Sequence, residues 1–345
     1  MRLCDNIGPG APNSTILEMM IDGLELDSKH EQMFRKITEG AQIDRRYSVL
    51  NSIDDIYWGK HGLHNDAGIE VRNAVYKQQA PALSIQSCKE AIKDWKGSLS
   101  EITHVVAVSC TGIIVPGIEF HVMRGLGLNE SCERLSVLYM GCFGFISGLK
   151  TAKALASESS NNRVLMVCTE LCSLHMQLDD RIDNLVGSAI FGDGSGACII
   201  GCKLRSNERA LYEVHKTASV VIPDTLDHMD WILSHSGMII GLGKQIPQKI
   251  YDNIHPFLSQ LLSHTPAYGT VNSDMQYAIH PGGPMILNCI QDALNIRQND
   301  TQAAWNVLKR FGNMSSATLI FVLQEMRKHK HNKSSTFIPT IAFGT

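Results

Sequence analysis

The chain has 345 residues, of which 44% are hydrophobic and 19% charged, with a formal net charge of −3. That balance suits a soluble protein with room for one large core or two fused halves, and it lacks the strongly basic face with interleaved aromatics that nucleic-acid binding needs. No apolar stretch reaches membrane-spanning length and no charged-then-apolar leader opens at Met1, so neither nucleic acid nor a membrane is expected as a partner.

Taken in order, Leu83, Ser87, Ala91 and Trp95 recur at helical spacing and predict a helix over 83–95. A Gly/Ser connection leads to His104–Ser109, an apolar run of strand length. The run Val137–Lys150 places Cys142 between Gly141 and Gly144, and 145–156 behind it reads as a compact helix rich in small residues. Arg163–Thr169 is a second strand-like run; Ala197–Gly201 is a third, introduced by a glycine turn over Gly192–Gly196. Strands alternating with helices, and apolar on both faces, predict an α/β protein with a covered sheet. The polar stretch Lys203–Arg209 is the best boundary, dividing the chain into 1–203 and 204–345. Beyond it, Met275–Ile279 reads as a strand that ends at His280 and is stopped by Pro281–Pro284. Asn313 stands just before the apolar segment Leu319–Leu323, and the basic Arg327–Lys333 reads as a solvated helix end.

Cysteine usage points to a reducing compartment. There are 10 cysteines, scattered, several inside apolar runs, with no Cys-x-x-Cys pair to favour zinc or redox chemistry. No metal and no organic cofactor is expected, and the cytoplasm is the expected location. Cys142 stands apart from the rest. A sulfur at a helix N-terminus meets the positive end of the macrodipole, which favours thiolate and makes a candidate nucleophile. A buried structural thiol is the commoner role of an arbitrary cysteine. His280 alone reads as a core or surface residue, and Asn313 beside Gly312 reads as a turn.

Together these residues form a pattern. With Ile43–Tyr47, Ser109–Gly112 followed by Pro116-Gly117, Gly141–Phe143, Leu185–Gly187, Phe191–Gly194, His280–Pro284 and Gly312–Ala317, the chain resembles the type III polyketide synthases over nearly its whole length. These are the chalcone-synthase-like branch of the thiolase superfamily. The resemblance implies a thiolase-like five-layered αβαβα fold built from two similar halves. The cysteine helix would lie buried between the sheets and the site would form where the halves meet. The N-terminal half, 1–203, would carry the nucleophile, and the C-terminal half, 204–345, the histidine and asparagine. The family's C-terminal loop and last core strand would follow Ile341–Thr345.

The implied reaction is decarboxylative Claisen condensation. Cys142 would take an acyl starter, assisted by an ion pair with His280. His280 and Asn313 would then stabilise the oxygen of the enolate formed from malonyl-CoA. Phe191 matches the phenylalanine that packs over the cysteine. A second gatekeeper position falls at Ile240, and Trp231 replaces a pocket glycine of chalcone-forming members. Thr111, Glu170, Cys172, Leu174, His175, Gly187 and Ser315 fall at the remaining substrate-binding positions. An aliphatic Ile240 and a bulky Trp231 suggest a linear acyl starter rather than an aromatic one. The family grips coenzyme A phosphates with three basic residues; here those positions are Met33, Lys36 and Gly40, with Arg35 adjacent. The thinner grip leaves room for delivery by an acyl carrier protein. A homodimer is implied, with Val115 at the position that reaches the partner's cavity. Alternatives are a single-round ketoacyl synthase of fatty-acid initiation, a silent thiolase-fold binding protein and a Cys–His hydrolase.

Overall fold

Every side chain of His104–Ser109 and of Val164–Leu171 is buried, which is why both segments read as unbroken apolar runs rather than alternating ones. In the computed structural model these are two strands of one sheet. The structure describes residues 2–3, 10–24, 26–50, 67–177, 179–263, 265, 275–328 and 337–344.

The N-terminal half contains β1 (Arg2–Leu3), β2 (Ala11–Pro12), α1 (Asn13–Leu24), α2 (Ser28–Gly40), β3 (Arg45–Arg46), α3 (Ile69–Trp95) and β4 (His104–Ser109). It continues with α4 (Ile118–Leu126), β5 (Glu133–Leu138), α5 (Gly144–Ser157), β6 (Val164–Leu171), α6 (Ile182–Ile190) and β7 (Asp193–Ile200). Its five-stranded sheet runs β1-β7-β6-β4-β5. The β4 strand is parallel to both neighbours, with Val106 opposite Met166 and Leu135, while β7 is antiparallel to β6. Helix α5 packs on β4 and β6, and α3 on β6 and β7.

The C-terminal half holds the hairpin β8 (Met229–Ser234) and β9 (Gly237–Leu242), then α7 (Ile246–Leu262), β10 (Ala278–Ile279), α8 (Pro284–Leu294), α9 (Gln302–Phe311), α10 (Thr318–Lys328) and β11 (Thr340–Ile341). Among its described residues the strands form only two-stranded ladders, β8–β9 antiparallel and β10–β11 parallel. Helix α10 touches β7 on one side and β10 on the other, so it lies between the halves. Its residues 318–323 are all buried, because both faces of this helix are covered.

Two readings of the sequence need correction. The helix predicted over 83–95 begins at Ile69, ahead of Pro81. Its first turns are held by Arg72, whose buried guanidinium donates to the carbonyls of Ala67, Leu174 and Met176, a tertiary anchor that periodicity does not reveal. The glycine run 192–196 is not a turn: Asp193–Ile200 is one strand. A Cβ on Gly194 would stand 2.5 Å from Met314 Sδ, and one on Gly196 2.8 Å from Ile320 Cγ2. These glycines let the C-terminal half lie directly on β7. The boundary stretch Lys203–Arg209 is itself held to the sheet. Glu208 accepts from Arg163 Nε at 2.6 Å and Nη2 at 2.7 Å, and from Trp95 Nε1 at 2.8 Å, with both charged side chains over nine-tenths buried.

That pair ties the segment after β7 to the sheet, and Arg163 holds the Glu208 carboxyl down at about 2 against an ordinary 4.5. A depressed folded-state value means its stabilisation is present above about pH 4.5 and is lost as pH falls toward 2. Glu208→Gln is expected to destabilise the protein by about 3 kcal/mol at pH 7, since it leaves Arg163 buried and unpaired. Thermal melts from pH 7 to pH 3 check this: the gap between wild type and variant should narrow below pH 4.5, and a constant gap would refute the account.

Candidate active site

Strand β5 ends at Leu138, and the chain then reverses through Tyr139 (φ 59) and Gly141 (φ 50). Positive φ is costly for tyrosine and easy for glycine, so the local strain lies at Tyr139. Gly141–Phe143 forms one short 3₁₀ turn, and α5 follows at once. Cys142 therefore precedes the helix by two residues. A Cβ on Gly344 would lie 2.7 Å from both Met140 O and Phe143 N, so the described end of the chain packs against this turn.

From the other half, α9 stops at Gly312 (φ 70) and the backbone crosses to the end of α6. Asn313 N donates to Ile190 O at 2.8 Å, and Gly192 N donates to Asn313 O at 2.9 Å, an isolated bridge between Phe191 and Asn313. The carboxamide Oδ1 accepts from Ser315 N at 2.8 Å and stands 3.9 Å from Cys142 Sγ. Its Nδ2 makes no hydrogen bond among the described residues. Ser315–Ala317 is a second 3₁₀ turn, which leads into α10 and packs against the cysteine turn. Thus two helices begin at one point, each through a short turn.

His280 follows β10, and its N–H donates to Ile341 O at 2.8 Å. The imidazole is buried, and neither Nδ1 nor Nε2 has a partner among the described residues. Burial pushes it down to about 3, so it is neutral. Burial likewise pushes the Cys142 thiol up to about 11; hydrogen bonding from Ser315 and Asn313 opposes this, while the charge of Glu170 adds to it. No hydrogen bond joins the sulfur to His280 among the described residues, and burial works against charge on both groups.

The pocket residues fall into two groups. Phe191, Ile240, Trp231, His175 and Gly187 meet around the β8–β9 hairpin. Trp231 is paired with Ile240 across the strands, and its ring lies 6.0 Å from His175 and 6.4 Å from Phe191. A Cβ on Gly187 would sit 3.6 Å from both Ile240 and Phe191. His175 is fixed by Thr111 O at 2.7 Å and by Met238 N at 3.2 Å, and burial holds it neutral at about 4. Thr111 and Glu170 instead bond each other at 2.8 Å. Leu174 is wholly buried in the core, and Cys172 is nearly so.

Arg35, adjacent to the matched phosphate positions, is engaged by neighbouring carboxylates. Its guanidinium is taken up by Glu18 (2.9 Å) and Glu31 (3.0 Å). Lys36 does open on a hollow of about 430 Å³, shared with Lys29, Gln32, Met33 and Ile37 of the same helix. Lys29, one turn before Met33, is a cation the motif comparison overlooked, because it falls outside the matched positions. Among the described residues, no group of three or more His, Cys, Asp or Glu could hold a metal. No described helix is long and apolar enough to cross a membrane.

Comparison with known proteins decides the lineage. Residues 13–203 match the N-terminal domain, and 213–341 the C-terminal domain, of chalcone and stilbene synthases. This chain belongs to the chalcone and stilbene synthase family. It is 37% identical over 341 residues to "Probable polyketide synthase 1" of Dictyostelium discoideum, covering 97% of this chain but only 11% of that protein. It is 28% identical over 349 residues to "Type III polyketide synthase A" of Arabidopsis thaliana, covering 98% of this chain and 88% of that one. The crystal structure of the C-terminal type III polyketide synthase domain of 'Steely1', a type I/III hybrid from Dictyostelium, superposes with a TM-score of 0.91 at 36% identity, covering 98% and 93% of the two chains. The mixed α/β architecture is that of this family, and its named relatives are condensing acyltransferases.

One family motif acquires a role here that its sequence did not disclose. Arg46, within Ile43–Tyr47, is buried and donates through Nε to Asn13 Oδ1 and through Nη1 to Phe191 O, each at 2.7 Å. A Cβ on Gly312 would approach its Cγ at 3.0 Å. One guanidinium thus braces α1, Phe191 and the strand that presents Asn313. Lysine cannot span two acceptors, so Arg46→Lys and Arg46→Met should both cost about 2 kcal/mol, read as a lower midpoint in chemical denaturation. A lysine variant as stable as wild type would show that charge alone suffices.

Proposed function

We propose that this chain is a type III polyketide synthase that loads an acyl starter on Cys142 and extends it by repeated decarboxylative condensation with malonyl-CoA. Cyclisation would then give a pyrone, resorcinol or phloroglucinol type product. The observation that carries the reading is the meeting of Cys142 with Asn313 from the other half, which also carries His280, a buried imidazole whose two nitrogens have no partner among the described residues. Buried polar atoms are normally satisfied, and exceptions need an explanation. An oxygen of the substrate supplies one.

Chemistry follows from the protonation states. A starter thioester approaches Cys142, neutral His280 accepts the thiol proton, and sulfur displaces the carrier thiol, which leaves with that proton. Malonyl thioester then loses carbon dioxide, leaving negative charge on its thioester oxygen. The unengaged Asn313 Nδ2–H and an imidazole N–H are available as donors to that oxygen. The enolate carbon attacks the acyl carbon, and Cys142 departs as the leaving group.

Trp231 and His175 are held edge to face, with Phe191 near the tryptophan ring; such bulk at positions matched to the family's pocket supports a linear acyl starter over an aromatic one. Lys29 and Lys36 offer two cations to the phosphates of coenzyme A, or to a carrier-borne phosphopantetheine. Val115 is 86% exposed, and Leu135 and Leu138 are exposed along β5, the open edge of the sheet. Together they favour a homodimer across that edge. A cytoplasmic setting fits the scattered free thiols. A silent binding protein would have no need of an unpaired buried imidazole.

Mass analysis of products from malonyl-CoA and a panel of acyl-CoA starters tests the reading. Multiply extended products are expected, with medium straight-chain starters preferred to coumaroyl; a single condensation would indicate a ketoacyl synthase. Asn313→Ala should slow condensation by about 10²- to 10³-fold, the ordinary cost of one oxyanion donor, while starter loading on Cys142 persists.

A further inference from the structure

The β8–β9 hairpin carries Trp231 and Ile240, yet its own ladder does little to fix where they stand. Among the described residues it is a two-stranded sheet with no further strand beside it, and Ile232 and Leu233 are exposed along β8. Two strands alone are marginal in water. The position of Trp231 and Ile240 is therefore set by what grips the hairpin from outside.

The grip is polar and falls at the turn. Ile69 N, at the start of α3, donates to His235 O at 2.7 Å, and Met238 N donates to His175 Nδ1 at 3.2 Å. Between them the buried Gln177 bridges the two halves. Its Nε2 donates to His175 O at 2.9 Å and to Ser236 O at 3.1 Å, while its Oε1 accepts from Ser236 Oγ at 2.8 Å. Two carbonyls meet one end of the carboxamide, so that end is the NH2 group and the amide has a single orientation. Ser234 Oγ, 3.1 Å from Ser236 Oγ, donates to Gly237 O at 3.0 Å and stiffens the turn. Segment 174–177 cannot follow the hairpin, because Arg72 donates to Leu174 O and Met176 O at 2.9 Å each. Gly237, at φ 109, lies so close to this clasp that a Cβ would stand 3.2 Å from both His175 Nδ1 and Arg72 Cδ.

Restraint at the turn passes along the ladder. Ser234 pairs with Gly237, and Trp231 pairs with Ile240 further down the same strands, roughly 10 Å away at about 3.4 Å per residue. There a Cβ on Gly187 would meet Ile240 Cγ2 at 3.6 Å, and the Trp231 ring lies 6.4 Å from that of Phe191. We propose that Gln177 is a positioning residue that sets the width of the acyl pocket. Its carboxamide locks the hairpin turn onto segment 174–177 and thereby holds Trp231 and Ile240 close to Phe191 and Gly187. This rests on the reading of those residues as the acyl pocket of a polyketide synthase.

The test compares wild type, Gln177→Met and Ser236→Ala in the intact chain, each shown by circular dichroism to be folded. Methionine conserves the side chain's bulk and removes every hydrogen bond of the carboxamide. Hydrogen exchange is measured over the amides of 229–242. Acylation of Cys142 by octanoyl-CoA and by coumaroyl-CoA is followed by intact-protein mass. Gln177→Met is expected to exchange faster over 229–242 and to raise the coumaroyl-to-octanoyl rate ratio by about tenfold, the order that one methylene of pocket space is worth. Ser236→Ala, which loses only the bond to Oε1, should move both readings the same way by less. An unchanged ratio in folded Gln177→Met, even with both rates reduced, would make the residue merely structural and overturn the proposal. Unchanged exchange overturns it too. Should Gln177→Met fail to fold, Ser236→Ala decides by the same two readings. Wild type that neither starter acylates would count against the synthase reading, and faster exchange over 229–242 in Gln177→Met would still uphold the clasp. Normal acylation with an unchanged ratio would count against this proposal alone.

Discussion

Two 3₁₀ turns packed on one another, Gly141–Phe143 and Ser315–Ala317, form the joint on which the rest of the molecule depends. Each leads into a helix, α5 and α10, so two helix N-termini, with their outward N–H groups and partial positive charge, meet at one place. The approach is possible only because the residues there are small. A Cβ on Gly144 would sit 2.8 Å from Val108 and 3.2 Å from the Ser316 Cβ, and one on Gly194 would press on Met314. Close packing at this joint brings the Cys142 sulfur to Asn313, and the same packing strips water from both.

The joint is braced by polar groups, one of them crossing between the halves, rather than by apolar contact alone. Glu170 takes a hydrogen bond from Ser316 of the other half, and Arg46 fixes Phe191 beside the bridge to Asn313. Asp193 accepts from Ser173 N at 2.7 Å and from Val49 N at 2.8 Å, which anchors the start of β7 next to Phe191. Burial raises Asp193 to about 6, opposed by these donors and by Arg46. Polar networks of this kind are stabilising only when complete, and they dictate one arrangement over others. At a site that must align groups from both ends of the chain, such directionality matters more than added apolar area.

Much of this was legible in the residues, and the failures have physical causes. The strand 104–109 was placed correctly to the residue, and the helix read over 145–156 lies within α5, because continuous apolar runs and small-residue periodicity are local signals. The glycines at 192–196 were misread as a turn since their purpose, room for Met314 and Ile320, lies more than a hundred residues away. Lys203–Arg209 shows its polarity in the sequence, which marks the boundary, but not its partners Arg163 and Trp95. Cys142, His280 and Asn313 were legible through their motifs, whereas the surroundings of the sulfur and the imidazole were not. A sequence shows that a cysteine precedes a helix; it does not show what packs around the sulfur.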